Sequence, residues 1–331
     1  MFLTRYDKAI FMNKLTPIIH LLKELNQSSF SKNNMEEKKS IAAINNSDNI
    51  IKEIISAVSI ANIERWINKI TLFHTRHSKS KFIDEVSFWL KAELEKNGQT
   101  DVRFHRYTVN GYKLKNVICH IRGLSDKVIL ICAHYDSRME NLDDSRSRAP
   151  GADDNASGMS VILEISRVIA NLQFEYSIQL VFFSGEEQGQ WGSKHYAKFV
   201  KDNNIPLQRL INLDMVGYSS NNNYDCIVER DIGNSIISND QYSEVFAQSI
   251  EEIAKSNTTI NTKPGPIYDS DYMPFEALGY VVAGLYDGGA ENYPYYHSSK
   301  DESIYLDTKY VTEIAKIVLV VLLKEGKIIK I

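Results

Sequence analysis

The stretch "KVILICAH", residues 127–134, decides the architecture of this chain, because six consecutive apolar residues lead directly into a histidine. A continuous apolar run is typical of a strand that is covered on both faces, whereas a half-exposed strand alternates apolar and polar residues. Two similar runs follow downstream: "SIQLVFFSG", residues 177–185, and "LQRLINLD", residues 207–214. All three are predicted to be buried strands of one sheet.

Helical patterns separate these runs. The segment "SGMSVILEISRVIANL", residues 157–172, predicts a helix with Ser157 as its cap. One face of that helix carries four apolar residues: Ile162, Ile165, Ile169 and Leu172. Residues 193–202 predict a further helix before the third strand. The alternation predicts an α/β fold with a mostly parallel (mixed) central sheet and helices on both faces, in which ligands bind beyond the carboxyl ends of the strands.

The first 58 residues differ in composition from the rest. They are rich in Asn, Lys and Ser, and residues 26–40 indicate a polar linker between two short helical pieces. We therefore expect an N-terminal helical and linker extension over residues 1–58 and a single domain over 59–331. Residues 78–98 predict a helix that Gly98 ends, followed by strand-like runs at 102–109 and 114–123.

Composition narrows the class of protein. Of the 331 residues 43% are hydrophobic and 24% are charged, and 38 basic against 42 acidic side chains leave a net charge of −4. These values are ordinary for a soluble globular protein, so no nucleic-acid or membrane partner is predicted. The chain is long enough for a deep core and an enclosed site. Its oligomeric state is left open.

Cysteine usage and the N-terminus bear on location. Cys119, Cys132 and Cys226 are odd in number and lack a CxxC spacing, so neither a disulfide framework nor a thiolate zinc site is predicted. No stretch approaches the 18 or so apolar residues of a spanning helix. The expected location is cytoplasmic, with secretion as the alternative because Met12 and Met35 are other candidate starts.

Acidic residues and histidines gather after the predicted strands and in two loops. The candidates are His134, Asp136, Asp153, Asp154, Glu186, Glu187, Asp214 and His297. Taken singly, each suits a surface or capping role. Together they would crowd negative charge at one rim of the sheet, which a bound cation neutralises. Two histidines with several carboxylates suit zinc, manganese or cobalt, so a metal site is predicted.

Five ordered motifs carry a resemblance to a known family. They are "HYDS" (134–137), "PGADDNASG" (150–158), "SGEEQGQWGS" (184–193), "NLDMVGY" (212–218) and "YHSSKD" (296–301). In this order they resemble the di-zinc exopeptidase family of bacterial leucyl-type aminopeptidases, whose relatives include glutamate carboxypeptidases and glutaminyl cyclases. The resemblance covers roughly residues 58–325 and makes 59–331 a di-zinc peptidase domain.

The resemblance implies two Zn²⁺ ions per chain, with Mn²⁺ or Co²⁺ as alternatives. The implied ligands are His134, Asp154, Glu187, Asp214 and His297. His134 and Asp214 would hold one ion, and Glu187 and His297 the other. Asp154 would bridge them, because the bridging Asp of the family stands four residues before the last Gly of the loop motif. Asp153 is then a turn residue, and Asp136 resembles the acid that orients the ligand imidazole.

Glu186 and Glu187 are expected to differ in role. Adjacent residues of an extended chain point in opposite directions, so one carboxylate would bind metal and the other would work as the general base. The resemblance makes Glu187 the ligand and Glu186 the base. It makes Tyr296 the residue that donates a hydrogen bond to the oxyanion, with Tyr268 as the alternative. Tyr272 stands where the family commonly has a histidine, which changes the expected polarity of the pocket.

The leading hypothesis is a two-zinc aminopeptidase that removes an N-terminal residue from peptides. A glutamate-type carboxypeptidase would need a cationic pocket, for which Arg138, Arg146 and Arg148 are candidates. Two further hypotheses are a glutaminyl cyclase, which is associated with one zinc, and a non-enzymatic binding module. The remaining histidines are predicted to be surface or core-edge residues: His20, His74, His77, His105, His120 and His195.

Overall fold

The computed structural model describes residues 49–219, 223–289 and 293–330. Most of the predicted extension over residues 1–58, including His20 and the candidate starts, therefore lies outside the described residues. Residues 49–56 are helical. Within this segment Ile54 and Ile55 are buried and pack into the main hydrophobic core.

An eight-stranded sheet forms the centre of the molecule. In chain order the strands are β1 (Val102–Val109), β2 (Tyr112–Ile121), β3 (Ser125–His134), β4 (Gln173–Phe174), β5 (Tyr176–Phe183), β6 (Leu207–Leu213), β7 (Asp225–Arg230), β8 (Asn261–Pro266), β9 (Val282–Tyr286) and β10 (Ile328–Lys330). The sheet order is β1-β2-β5-β3-β6-β9-β7-β8, while β4 and β10 form a separate pair. The four inner strands β5, β3, β6 and β9 are mutually parallel. The mixed sheet with a parallel centre is confirmed.

Helices cover both faces of this sheet. They are α1 (Ile60–Ile70), α2 (Ile83–Lys96), α3 (Gly158–Val168), α4 (Trp191–Asp202), α5 (Asp240–Asn257), α6 (Met273–Glu276) and α7 (Thr308–Glu325). Alternate residues of β3 enter two separate cores: Ile129 and Ile131 pack with α1, α3 and α7, whereas Leu130 and Cys132 pack with α4 and α6. Burial on both faces explains the unbroken apolar run of this strand.

Helix α3 differs from the prediction in two respects. Residues 158–166 are all buried, so the helix has no solvent-facing side. Ser157 does not cap it, because its hydroxyl donates to the carbonyl oxygen of Asp153 at 2.7 Å. A π-helical turn, Ala152–Ser157, precedes the helix instead. This turn carries the loop motif to the carboxyl rim of the sheet.

The three cysteines are free and buried. Burial raises the pKa of the Cys119 and Cys226 thiols to about 12, so both thiols stay protonated near neutral pH. Trp191, at the start of α4, is half-buried and packs against the main core. No helix in the described part of the chain is long and apolar enough to cross a membrane.

Candidate metal centre

Two groups of side chains converge beyond the carboxyl ends of the inner strands. His134 ends β3 and Asp214 follows β6, and both lie beside Asp154, which comes from the turn before α3. The second group contains Asp154 again, with Glu187 from the loop after β5 and with His297. In each group the donor atoms lie within 4.8 Å of one another. The five predicted ligands are thus brought together.

Asp154 belongs to both groups because its two oxygens face different histidines. Its Oδ1 lies 3.1 Å from Nε2 of His134, and its Oδ2 lies 2.9 Å from Nε2 of His297. The side chain is buried, with 5% of the residue's surface exposed. A carboxylate shared in this way has the arrangement that a bridge between two ions requires. Asp153 points elsewhere and accepts a hydrogen bond from the Gly217 amide at 2.8 Å.

The spacing of the donor atoms fits zinc. Two donors each ~2.1 Å from a tetrahedral zinc lie roughly 3.4 Å apart. Nε2 of His134 lies 3.2 Å from Asp214 Oδ1, and Nε2 of His297 lies 3.1 Å from Glu187 Oε2. His297 Nε2 and Glu187 Oε1 are nevertheless buried without a hydrogen-bond partner. The His297 nitrogen therefore approaches the Asp154 and Glu187 carboxylates without hydrogen-bond geometry, which fits convergence on a common ion. Their role as ligands stays a prediction.

The electrostatics of the centre favour added positive charge. Burial lowers the pKa of His134, but the Asp214 and Asp154 carboxylates outweigh it and raise this pKa well above its usual range. Burial also lowers the pKa of His297. Close contact with the Asp154 and Glu187 carboxylates outweighs this effect and raises the pKa to about 9. The carboxylates therefore favour protonation of both imidazoles. A bound metal ion would replace those protons.

Asp136 connects the two halves of the centre. Its buried carboxylate accepts from the Glu186 amide at 3.2 Å, the Glu187 amide at 3.3 Å and the Ser78 hydroxyl at 3.2 Å. Nδ1 of His134 lies 3.2 Å from the backbone oxygen of Asp136 and 3.8 Å from its carboxylate. The imidazole is therefore oriented through the carbonyl, while the carboxylate holds the Glu186–Glu187 turn.

The backbone turns at Glu186 and Glu187, so the alternating side-chain directions of an extended chain do not apply there. Strand β5 ends at Phe183, and the amides of Gly189 and Gln190 both donate to the Glu186 carbonyl at 2.8 Å, which closes the turn. Within this turn Glu187 is buried and belongs to the second group, whereas Glu186 is half-buried and belongs to neither. The turn therefore separates the two carboxylates.

The predicted tyrosines lie in different surroundings. The ring of Tyr296 stacks on His297 with centroids 3.6 Å apart. Tyr296 is 38% exposed, but the burial of the rest of its side chain, helped by the nearby carboxylates, raises its pKa, so its hydroxyl keeps its proton. Tyr268 is 79% exposed. Tyr272 is fully buried and donates to Glu229 at 2.8 Å, so the replacement of the family histidine lies in the core.

Similarity to known proteins agrees with this geometry. The profile of Peptidase family M28 matches residues 116–322, more than half of the chain. The chain belongs to Peptidase family M28. All five converging side chains lie within the matched segment.

Individual relatives of this M28 chain are fungal and bacterial proteins. A probable zinc metalloprotease of Pyrenophora tritici-repentis is 33% identical over 52% of this chain and 40% of its own length. The chain thus spans less than half of that relative. A probable leucine aminopeptidase of Arthroderma otae is 27% identical over 82% of this chain and 73% of its own length. The LapA aminopeptidase of Legionella pneumophila shares the fold, with a TM-score of 0.72 at 20% identity over 91% and 77% of the two chains.

Two buried residues that the sequence patterns did not single out support the M28 centre. Arg76 is fully buried and donates to the carbonyl oxygens of Tyr135 and Gly151, each at 2.9 Å, and to that of Pro150. Asp301 accepts from the amides of Asp153 and Asp154 at 2.9 and 3.2 Å. These contacts fix the loop that carries the shared carboxylate.

Sequence signals for these two residues differ in strength. Asp301 stands in the motif "YHSSKD", which is a usable signal, whereas Arg76 has no local pattern to identify it. Gly151 adopts a φ of +55°, and a Cβ there would lie 2.7 Å from Arg76 Nη2. Glycine is therefore needed where the loop passes the guanidinium.

The three arginines that were candidates for a cationic pocket differ in position. Arg138 reaches the centre, with Nε 2.7 Å from Glu187 Oε2, while Arg148 pairs with Glu302 at 3.0 Å. Arg146 lies in a surface turn, where its amide donates to Asp144 at 3.0 Å. The described histidines outside the motifs belong to neither donor group: His74, His77, His105, His120 and His195.

Proposed function

We propose that this chain is a two-zinc aminopeptidase that hydrolyses the N-terminal peptide bond of peptides. The shared carboxylate of Asp154 carries the proposal, because it joins two donor groups into one binuclear arrangement. Membership of a peptidase family supports the reaction class. The aminopeptidase names of the Arthroderma and Legionella relatives support cleavage from the amino end.

The residues that would hold the ions follow from the two groups. His134 and Asp214 would hold one ion, Glu187 and His297 the other, and Asp154 both. Zinc, when bound, supplies Lewis acidity and lowers the pKa of a coordinated water to about 7. The donors are imidazoles and carboxylates, so manganese and cobalt are acceptable to the same set.

We assign proton transfer to Glu186. It lies beside the ligands without belonging to either group, and burial raises its pKa well above the usual range. It would take a proton from the attacking water and deliver it to the departing amine. Tyr296, whose hydroxyl stays protonated, would donate a hydrogen bond to the developing oxyanion.

Leucine p-nitroanilide hydrolysis tests this proposal. We expect a zinc chelator to abolish activity and Glu186→Gln to lower kcat by roughly 10²–10⁴-fold, because the substitution removes the proton acceptor and keeps the shape. The variant should retain its zinc. Glu95→Gln, on the exposed side of α2, is the matched control and should behave as wild type. Chelator-resistant turnover, or an unaffected Glu186→Gln enzyme, would contradict the proposal.

A glutamate-type carboxypeptidase is the second candidate, and Arg138 is the observation that favours it. Its guanidinium lies at the edge of the second donor group, where a substrate carboxylate could compete for it. Peptides blocked at either end separate the two activities. An aminopeptidase should cleave peptides with a blocked C-terminus and reject those with a blocked N-terminus. The reverse result would establish the second candidate, and a content near one zinc per chain would favour a cyclase.

A further inference from the structure

The two donor groups of the metal centre differ in the charge of the side chains that hold their carboxylates. In the second group, Nε of Arg138 donates to Glu187 Oε2 at 2.7 Å. In the first group the corresponding partner is neutral, because the Ser270 hydroxyl donates to Asp214 Oδ2 at 2.5 Å. In the part of the chain that the structure describes, a permanently charged guanidinium therefore pairs with Glu187, and no Lys or Arg pairs with Asp214.

The Arg138 guanidinium is held in place by its own loop. Its Nη1 donates to the carbonyl oxygens of Met139 and Glu140 at 3.2 and 3.3 Å. The preceding residue, Ser137, is fully buried, and its hydroxyl donates to the Ala149 carbonyl oxygen at 2.8 Å. These contacts oppose movement of the guanidinium away from the second donor group.

Burial makes this positive charge effective. The exposed fractions of the Arg138 and Glu187 side chains are 18% and 3%, so water and salt screen the pair weakly. A divalent ion bound through Glu187 would have the guanidinium as a neighbour, and like charges at short distance repel. The hydrogen bond from Arg138 also engages Oε2, the oxygen that lies 3.1 Å from His297 Nε2. Both effects weaken the binding of an ion in the second group.

We propose that Arg138 makes the two metal sites unequal, so that zinc fills the first donor group, around His134, before the second, around Glu187. The inference rests on the proposed function, in which both groups hold zinc. Asp154 belongs to both groups and therefore does not create the difference. The ion of the second group is then the exchangeable one, and hydrolysis that needs both ions follows the zinc supply.

Zinc titration of the full-length protein, after removal of bound metal, against a chromophoric chelator tests the inference. We expect wild type to take up two zinc ions in two steps whose Kd values differ at least ~10-fold. Arg138→Met removes the charge and keeps the length of the side chain, so it should tighten the second step by about 10–100-fold and leave the first unchanged. Arg138→Lys keeps a positive charge and should keep two unequal steps.

Three further variants complete the experiment. Arg146→Met makes the same chemical change at an exposed position in a surface turn and should match wild type. His297→Ala removes a ligand of the second group, so the zinc-binding step that remains should be the tighter one. Should Arg138→Met fail to fold, Arg138→Gln also removes the charge and carries the same expectations.

The outcomes separate this inference from the proposed function. Two equal steps in wild type would overturn the inference and leave the proposed function standing. A second step that is unchanged or weaker in Arg138→Met would overturn it too, because Arg138 would then be neutral toward Glu187 or would position it as a ligand. Retention of the weaker step in His297→Ala would overturn the order of filling. Binding of fewer than two zinc ions would contradict the proposed function itself, and this inference with it.

Discussion

Asp136 shows how one buried side chain organises chemistry that it does not perform. Its carboxylate accepts from the amides of Glu186 and Glu187, and its carbonyl faces His134 Nδ1. One residue therefore positions a ligand of each proposed ion. Groups that orient metal ligands in this way typically change metal affinity or activity by about 10–100-fold when they are altered.

Asp136→Asn is expected to lower zinc affinity by about 10–100-fold, because the new amide would direct N–H groups at backbone N–H groups. Competition with a chromophoric chelator measures this affinity. Asp143→Asn is the control, since Asp143 is an exposed carboxylate paired with Lys79 on the surface. Equal zinc affinities for the two variants would show that Asp136 has no positioning role.

Glu229 gives a pH prediction. Burial raises its pKa from 4.5 to about 8, although the hydrogen bond from Tyr272 opposes the shift. A raised pKa means that the folded state binds the proton more tightly, so this stabilisation is complete below pH 4.5 and is lost as the pH rises through about 8. Wild type should therefore lose roughly 1 kcal/mol per pH unit relative to Glu229→Gln across this window. Urea denaturation at three pH values measures the free energy of unfolding of wild type and Glu229→Gln, with Glu95→Gln as the control. If the free energies of wild type and Glu229→Gln change with pH in parallel, the prediction is wrong.

At the scale of elements, the buried strand β3 and the buried helix α3 hold two of the proposed ligands at their ends. Both are buried on all sides next to the centre, and the ligand His134 stands at the end of β3 while Asp154 stands in the turn before α3. A well-packed support restricts the positions of side chains at its ends. A change in the packing of β3 or α3 should therefore alter both the free energy of unfolding and the positions of the proposed ligands.

Ile162→Ala tests this packing. Ile162 is fully buried in α3, so its truncation leaves a cavity and should cost about 2–5 kcal/mol of unfolding free energy. Ile304→Ala makes the same change at a residue that is 75% exposed, and should stay within about 0.5 kcal/mol of wild type. Denaturant unfolding of both variants supplies the measurement. A similar cost at the two positions would contradict the buried packing of α3.

At the scale of the whole molecule, the centre joins segments that lie far apart in the chain. The proposed ligands run from position 134 to position 297 and approach one another only in the folded state. An ion that binds this arrangement and not the unfolded chain must stabilise the fold. The carboxylates of the centre also repel one another less when cations are present.

Removal of zinc should lower the Tm by roughly 5 °C or more, and added zinc should restore it. Differential scanning calorimetry of the stripped and reloaded protein measures the change. His297→Ala should show a smaller zinc-dependent shift, whereas Glu186→Gln, which alters no proposed ligand, should match wild type. A Tm that is indifferent to zinc would argue against a resident ion.

Much of this protein is readable in its sequence because the relevant signals are local. The apolar segments at 127–134, 177–185 and 207–214 predicted β3, β5 and β6, and side chains directly after these strands predicted the rim at which Asp214 and its partners meet. Local patterns were misleading where hydrogen bonds to nearby residues set the conformation. Ser157 bonds within the π-helical turn and does not cap α3, and the chain turns at Glu186.

The sequence by itself determined the alternation of strand and helix, the positions of β3, β5 and β6, and the placement of acids and one histidine at their ends, since periodicity and order along the chain encode them. Only the tertiary structure decided that the two oxygens of Asp154 face different histidines and that Arg76 secures the loop beside it. These features depend on contacts between distant segments. They form when the sheet and helices pack together. Such packing leaves no recognisable pattern among residues that are adjacent in the sequence.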